Sequence, residues 1–179
     1  MNDCDAALAE AQASGKIYSL LEFAAENWPE RPASTYAGTT YTWAQTAARC
    51  HAQATLFAGA GVARGDRVAY LGFNSNVCFE GYFSPAAIGA IFVPLNFRLA
   101  LGELVECLED CAPRVLICEP KFINQAIELS ERCPSIKQVF ISGDDESLAV
   151  LRTDTAACSL SLPSSFSFLE TDIAACLQS

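Results

Sequence analysis

The stretch Gly89–Leu99, GAIFVPLNFRL, decides the reading of this chain. Seven of its eleven residues are apolar, yet it contains a proline and closes on an asparagine and an arginine. An apolar run without polar alternation reads as a strand covered on both faces, the kind that parallel sheets contain. The expectation is therefore a central strand over Ala90–Val93. Pro94 removes a ladder donor and marks the end of pairing. Asn96 and Arg98 follow at the carboxyl edge of the strand, where open α/β sheets usually bind ligands. They face a ligand there or fix the turn by pairing with loop groups, and the second reading is preferred.

The flanking residues extend the pattern in both directions. Arg67–Phe73, RVAYLGF, reads as a buried strand. Asn74, Ser75 and Asn76 supply capping side chains for a helix over Val77–Ile88, kinked at Pro85. Leu101–Cys111 places Leu101, Leu104, Val105 and Leu108 on one helical face. Arg114–Pro120 and Lys137–Ser142 read as further strands, separated by a helix over Phe122–Arg132. Upstream, Leu20–Trp28 has helical spacing and stops at Pro29 and Pro32. Ala33–Trp43 alternates β-formers around Ala37-Gly38 and reads as a hairpin. Thr42 and Gln45 have the spacing of a capping box, starting a helix that runs to about Ala58. Strand–helix–strand thus repeats three times. The prediction is an α/β fold of three layers, a mostly parallel sheet with helices on both faces.

Composition narrows the function classes. The chain has 179 residues, 51% hydrophobic and 18% charged, a globular balance that predicts one domain. The net charge of −10 and the absence of a basic run argue against nucleic acid as a partner. The longest near-continuous apolar run, Pro85–Leu95, falls far short of the ~20 residues of a membrane span. The acidic start MNDCDAALAEAQ lacks the pattern of a signal peptide, so a cytoplasmic protein is expected. Nine cysteines, an odd number without regular spacing, read as reduced thiols.

No residue set assembles into a catalytic, cofactor or metal site. Cys107 and Cys111 share a helix face but lack a second pair of ligands. Cys50 and His51 are adjacent on a helix and point to different faces, which argues against a dyad. Glu103, Glu106, Glu109 and Asp110 read as a solvated face. Gly59–Gly65 follows a helix and precedes a strand, the reverse of a phosphate-binding loop, and reads as a helix C-cap. Ala37–Thr40, AGTT, has no following lysine and reads as turn chemistry. Asn74-Ser75-Asn76 follows a strand and opens a helix; capping is preferred over phosphate binding.

The run Gly61–Ile117 resembles the N-terminal part of the adenylate-forming (AMP-dependent synthetase/ligase) superfamily, and most of all its fatty-acyl-CoA synthetases. Thr40–Gln45 (TYTWAQ), Gly65–Ala69 (GDRVA), Asn74, Gly89–Leu99 with its L-N-x-R-L ending, and Glu103-Leu104 occur in the order of that family. The resemblance covers about Ile17–Ser142, and continues more weakly in Ser165–Ser179, SFSFLETDIAACLQS. It implies the N-terminal subdomain of the acyl-CoA synthetase fold, with a core over about residues 17–142 and a linker-like tail with a short helix over 143–179. It implies activation of a carboxylic acid with ATP and Mg²⁺, then transfer to coenzyme A. The family's phosphate loop, nucleotide motifs and lid lysine match no position here. The chain is therefore expected to be an inactive N-terminal portion that carries no cofactor alone. Two alternatives stand beside it: a non-catalytic module that associates with a full-length synthetase, and a flavodoxin-like nucleotide or flavin binder.

Overall fold

A computed structural model describes residues 3–143, 148 and 164–178. Helices α1 (Asp3–Ala13) and α2 (Ile17–Asn27) lead into a hairpin of β1 (Pro32–Tyr36) and β2 (Thr39–Thr42). Ala37 and Gly38 both have positive φ, 48° and 80°, the geometry that lets a two-residue turn follow the strand twist. Helix α3 (Trp43–Gly59) opens on the expected capping box. Gln45 N donates to Thr42 Oγ1 at 3.3 Å, and Thr42 N donates to Gln45 Oε1 at 2.9 Å. The helix closes in a Schellman turn: Val62 N reaches Phe57 O and Gly61 N reaches Ala58 O, both at 2.9 Å, with Gly61 at φ 81°.

Five parallel strands follow: β3 (Arg67–Leu71), β4 (Ile91–Pro94), β5 (Val115–Cys118), β6 (Gln138–Ile141) and β7 (Phe166–Phe168). Their order across the sheet is β4-β3-β5-β6-β7. Successive side chains of each strand enter opposite layers. Ala69, Leu71, Leu116, Cys118, Val139 and Ile141 pack with α6 (Leu101–Cys111) and α7 (Ile123–Arg132). Val68, Tyr70, Val115, Ile117 and Phe140 pack with Phe57 of α3 and with Leu169 and Ile173 of α8 (Leu169–Gln178). The three layers are those the apolar strands required. Outside them, Tyr18 and Leu21 of α2 pack on Cys50 and Phe83.

Three expectations are corrected. The strand of the opening stretch is not central. β4 pairs only with β3 and forms the sheet edge, and Ile91 is 53% exposed. An apolar run reports what its faces can bury, not its rank in the sheet. Pro94 is tolerated because Ile91 N donates to Asp66 O, just before β3, and Leu95 N to Tyr70 O of β3, which turns the proline nitrogen toward the open side. Second, the helix over Val77–Ile88 is not kinked but broken, into α4 (Asn76–Gly81) and α5 (Ser84–Ala87). Pro85 stands in the first turn of α5, where its missing N–H leaves no bond unmade. Third, Phe166–Phe168 adds a strand that sequence periodicity did not reveal. Most of the serine- and alanine-rich segment read as linker lies outside the described residues.

Candidate functional site

The carboxyl ends of β3, β5 and β6 open into a cleft of about 390 Å³. Phe73 and Ser75 reach it from the loop after β3, Asn76 from the start of α4, Glu119 and Lys121 from the end of β5, and Ser142 from the end of β6. The hairpin leans over it with Tyr36 and Tyr41, and Glu170 of α8 closes one side. The chain leaves β3 for β4 on one flank and returns to β5 on the other. The gap between β3 and β5 is thus the point where the winding reverses, the usual ligand position in such sheets.

Tyr70, buried on β3, is hydrogen-bonded to three of the residues that line the cleft. Its hydroxyl lies 2.8 Å from Phe73 O, 2.8 Å from Glu119 Oε1 and 2.9 Å from Ser75 Oγ. With one proton it donates to one of the first two acceptors and accepts from the serine. Burial pushes the phenol up, a Ser75 bond opposes this, and the neighbouring Glu119 charge adds to it, so the group is neutral. Gly72 makes the arrangement possible. A Cβ there would stand 2.6 Å from the Tyr70 hydroxyl oxygen and 2.9 Å from the Glu119 carboxyl carbon.

Beside the cleft lies a buried ion cluster. Arg49 Nε donates to Glu80 Oε1 at 2.6 Å, and Arg49 Nη1 donates to Glu170 Oε2 at 2.8 Å. Arg49 Nη2 reaches the second oxygens of both carboxylates, at 3.2 and 3.0 Å. Gln53 Nε2 donates to Glu80, and Ser84 Oγ lies 2.9 Å from Gln53 Oε1. The Tyr41 ring covers the guanidinium at 4.7 Å. Burial drives Glu80 above the usual carboxylate range, against the pull of Arg49. Burial opposes the charge on Arg49, but the two carboxylates outweigh it and hold the cation. Every group in the cluster is bonded, with no nucleophile and no proton poised to move. It ties α3, α4 and α8 together. Sequence periodicity gave no signal for Arg49 or Glu80, since both stand among apolar and small residues.

The sequence candidates fall out as follows. Asn96 Oδ1 accepts from Arg98 N at 3.1 Å, and the Arg98 guanidinium lies 5.4 Å from the Phe97 ring, so both residues fix the turn. Ser75 caps α4 by accepting from Cys78 N at 3.2 Å, and it also lines the cleft, as do Ala37 and Thr39 of the AGTT turn. Cys50 is buried with Tyr18, Leu21 and Phe83, and the exposed His51 places Nε2 2.7 Å from the Tyr18 hydroxyl. Glu103, Glu106, Glu109 and Asp110 are all exposed, and Glu103 accepts from Ala100 N at the start of α6. Among the described residues no group of three His, Cys, Asp or Glu side chains is placed to hold a metal ion, Cys107 and Cys111 included. No helix among them is long and apolar enough to cross a membrane.

Strand order does not separate a synthetase from a flavodoxin-like binder, since both classes use this winding. Comparison with known proteins does. The family model for AMP-binding enzyme matches residues 21–169. The feruloyl-CoA synthase of an Amycolatopsis species is 43% identical over 102 residues, covering 57% of this chain and 21% of that protein. The fatty acid–[acyl-carrier-protein] ligase ScoC of Streptomyces coeruleorubidus is 38% identical over 106 residues, covering 59% of this chain and 20% of its own length. The solved N-terminal domain of FACL13 from Mycobacterium tuberculosis aligns with a TM-score of 0.66 at 27% identity, covering 83% of this chain and 38% of that one. The chain belongs to the AMP-binding enzyme family, the adenylate-forming superfamily, and corresponds to its N-terminal part. It spans about a fifth of the length of the curated relatives it matches.

Proposed function

We propose that this chain is the N-terminal scaffold of an ATP-dependent acyl-CoA synthetase, an enzyme that activates a carboxylic acid as an acyl-adenylate and passes it to a thiol. The observation that carries the reading is the 43% identity to a feruloyl-CoA synthase, held across 102 residues. The cytoplasm is the proposed compartment, supported by seven described cysteines that are all free thiols.

The chain supplies structure and not the nucleotide chemistry. Stabilising charge on a transferring phosphoryl group takes positioned cations and donors. The cleft offers little of this: Glu119 and Glu170 line it with carboxylates, Lys121 Nζ lies 5.0 Å from the Phe73 ring, and Arg49 is already held by Glu80 and Glu170. These residues do not fit a triphosphate with its magnesium, and no step is assigned to them. Two measurements test the reading. Pyrophosphate exchange into ATP, with mixed fatty and aromatic acids, should stay at background for this chain. Exchange above background would refute the scaffold assignment. A chimera in which this chain replaces the matching segment of the feruloyl-CoA synthase should fold and form acyl-CoA. A folded chimera without that activity would refute the synthetase assignment.

A further inference from the structure

We propose that the groove between α2, α3 and α5 is a binding site for a small organic monoanion with a flat apolar body. The groove measures about 810 Å³ and shares no lining residue with the cleft between β3 and β5. It lies toward the amino ends of the strands. Arg64 and Gly89 in its wall belong to the segments that lead into β3 and β4, and Gly65 N joins these segments by donating to Gly89 O at 2.9 Å.

The sign of the ligand's charge follows from which cations the protein leaves unused. The sequence has eleven Lys and Arg, and all but Arg152 fall among the described residues. Arg49, Arg67, Arg114, Arg132 and Lys137 donate to carboxylates or backbone carbonyls. Arg31, Arg98 and Lys121 lie over the rings of Trp28, Phe97 and Phe73. The side chains of the remaining two, Lys16 and Arg64, have no hydrogen-bond, ion-pair or ring partner among the described residues. Both line this groove. Glu22 is the one carboxylate in the lining, and it enters no ion pair among the described residues. His51 Nε2 is taken up by the Tyr18 hydroxyl at 2.7 Å. Two unpaired positive charges against one negative favour a monoanion.

The apolar part of the lining fits a flat body. Ala54 and Ala58 of α3 and Ala86 and Ala87 of α5 carry short side chains, and Ile88 continues their surface. The Arg64 stem passes over Gly89, where a Cβ would stand 3.1 Å from Arg64 Cγ, and such a stem is itself apolar. The volume accommodates two fused rings with one charged substituent. The site is separate from the carboxylic acid activation proposed above and does not rest on it.

The test uses three probes of one shape and three charges: 2-naphthoate, 2-naphthamide and 2-naphthamidine. Each is titrated into the full chain while backbone amide resonances are followed by NMR, with inorganic phosphate as an anion that has no apolar body. Naphthoate should shift the amides of residues 16–22, 51–58, 64 and 86–89 saturably, binding about tenfold tighter than naphthamide. Naphthamidine and phosphate should give no saturable shift at those amides. Lys16→Gln and Arg64→Gln should each weaken naphthoate about threefold, whereas Glu22→Gln should tighten it about threefold. Naphthamidine or phosphate binding as tightly as naphthoate, or no shift at those amides with naphthoate, would overturn the proposal. The probe series alone decides it should a variant fail to fold.

Discussion

Arg49 on α3 and Glu170 on α8 stand 121 positions apart in the chain and 2.8 Å apart in the fold. The same guanidinium holds Glu80, which is fully buried, at 2.6 Å. One side chain therefore fixes the last described helix to the layer that begins with the first half of the chain.

Removing that cation leaves Glu80 buried without compensation. Arg49→Met should destabilise the fold by about 3–5 kcal/mol, read as a lower denaturation midpoint in urea. Arg49→Met combined with Glu80→Leu should recover part of the loss, because the fully buried charge is then gone and only the partly exposed Glu170 is left without its cation. A double variant as unstable as the single one would show that the packing of the arginine stem, not its charge, matters here.

Two glycines should respond in opposite directions to alanine. A Cβ on Gly81 would collide with Cε2 and Cζ of Phe92 on the edge strand. Gly81→Ala should therefore cost about 1–3 kcal/mol. A Cβ on Gly102, in the first turn of α6, meets nothing within 4 Å. Gly102→Ala should stabilise by about 0.4–1 kcal/mol by restricting the unfolded chain. Thermal melts of the two variants provide the comparison.

The hairpin turn carries a correctable strain. Ala37 adopts φ 48°, a region that disfavours most residues with a side chain but is more tolerant of asparagine. Ala37→Asn should raise stability by about 0.5–1 kcal/mol, measured by chemical denaturation. A neutral or destabilising result would mean that the cleft wall resists the larger side chain.

Alkaline unfolding should involve the buried thiol at the end of β5. Burial, reinforced by the Glu119 charge, pushes Cys118 from 9.0 up to about 12. A pKa raised in the folded state contributes stability below the unfolded value. That contribution falls away as pH rises from 9.0 toward about 12. The wild-type chain should therefore lose stability more steeply over that window than Cys118→Ala, by up to about 1.4 kcal/mol per pH unit. Parallel slopes would contradict the assignment. At neutral pH, iodoacetamide should label the exposed Cys107 before the buried Cys50, Cys118 and Cys133.

Much of the architecture was legible from residue order. The capping box at Thr42, the turn at Ala37-Gly38, the helix Leu101–Cys111 and the apolar runs that became β3, β5 and β6 all announce themselves locally. Each depends on contacts within a few residues, so spacing alone reveals it, and the motif order from Thr40 to Leu104 was enough to place the family. The rank of β4 in the sheet, the three-residue β7 and the cleft were not visible in this way. β7 takes its hydrogen bonds from β6 across a long separation in sequence. The cleft draws its walls from the hairpin, three strand ends and α8. Arg49 looks like any helical arginine until Glu80 and Glu170 surround it. Local spacing encodes which element forms, because caps and periodicity act over one or two turns. Which elements meet, and which charges are buried together, depends on the packing of the whole sheet, because those free energies exist only once distant segments have left water together.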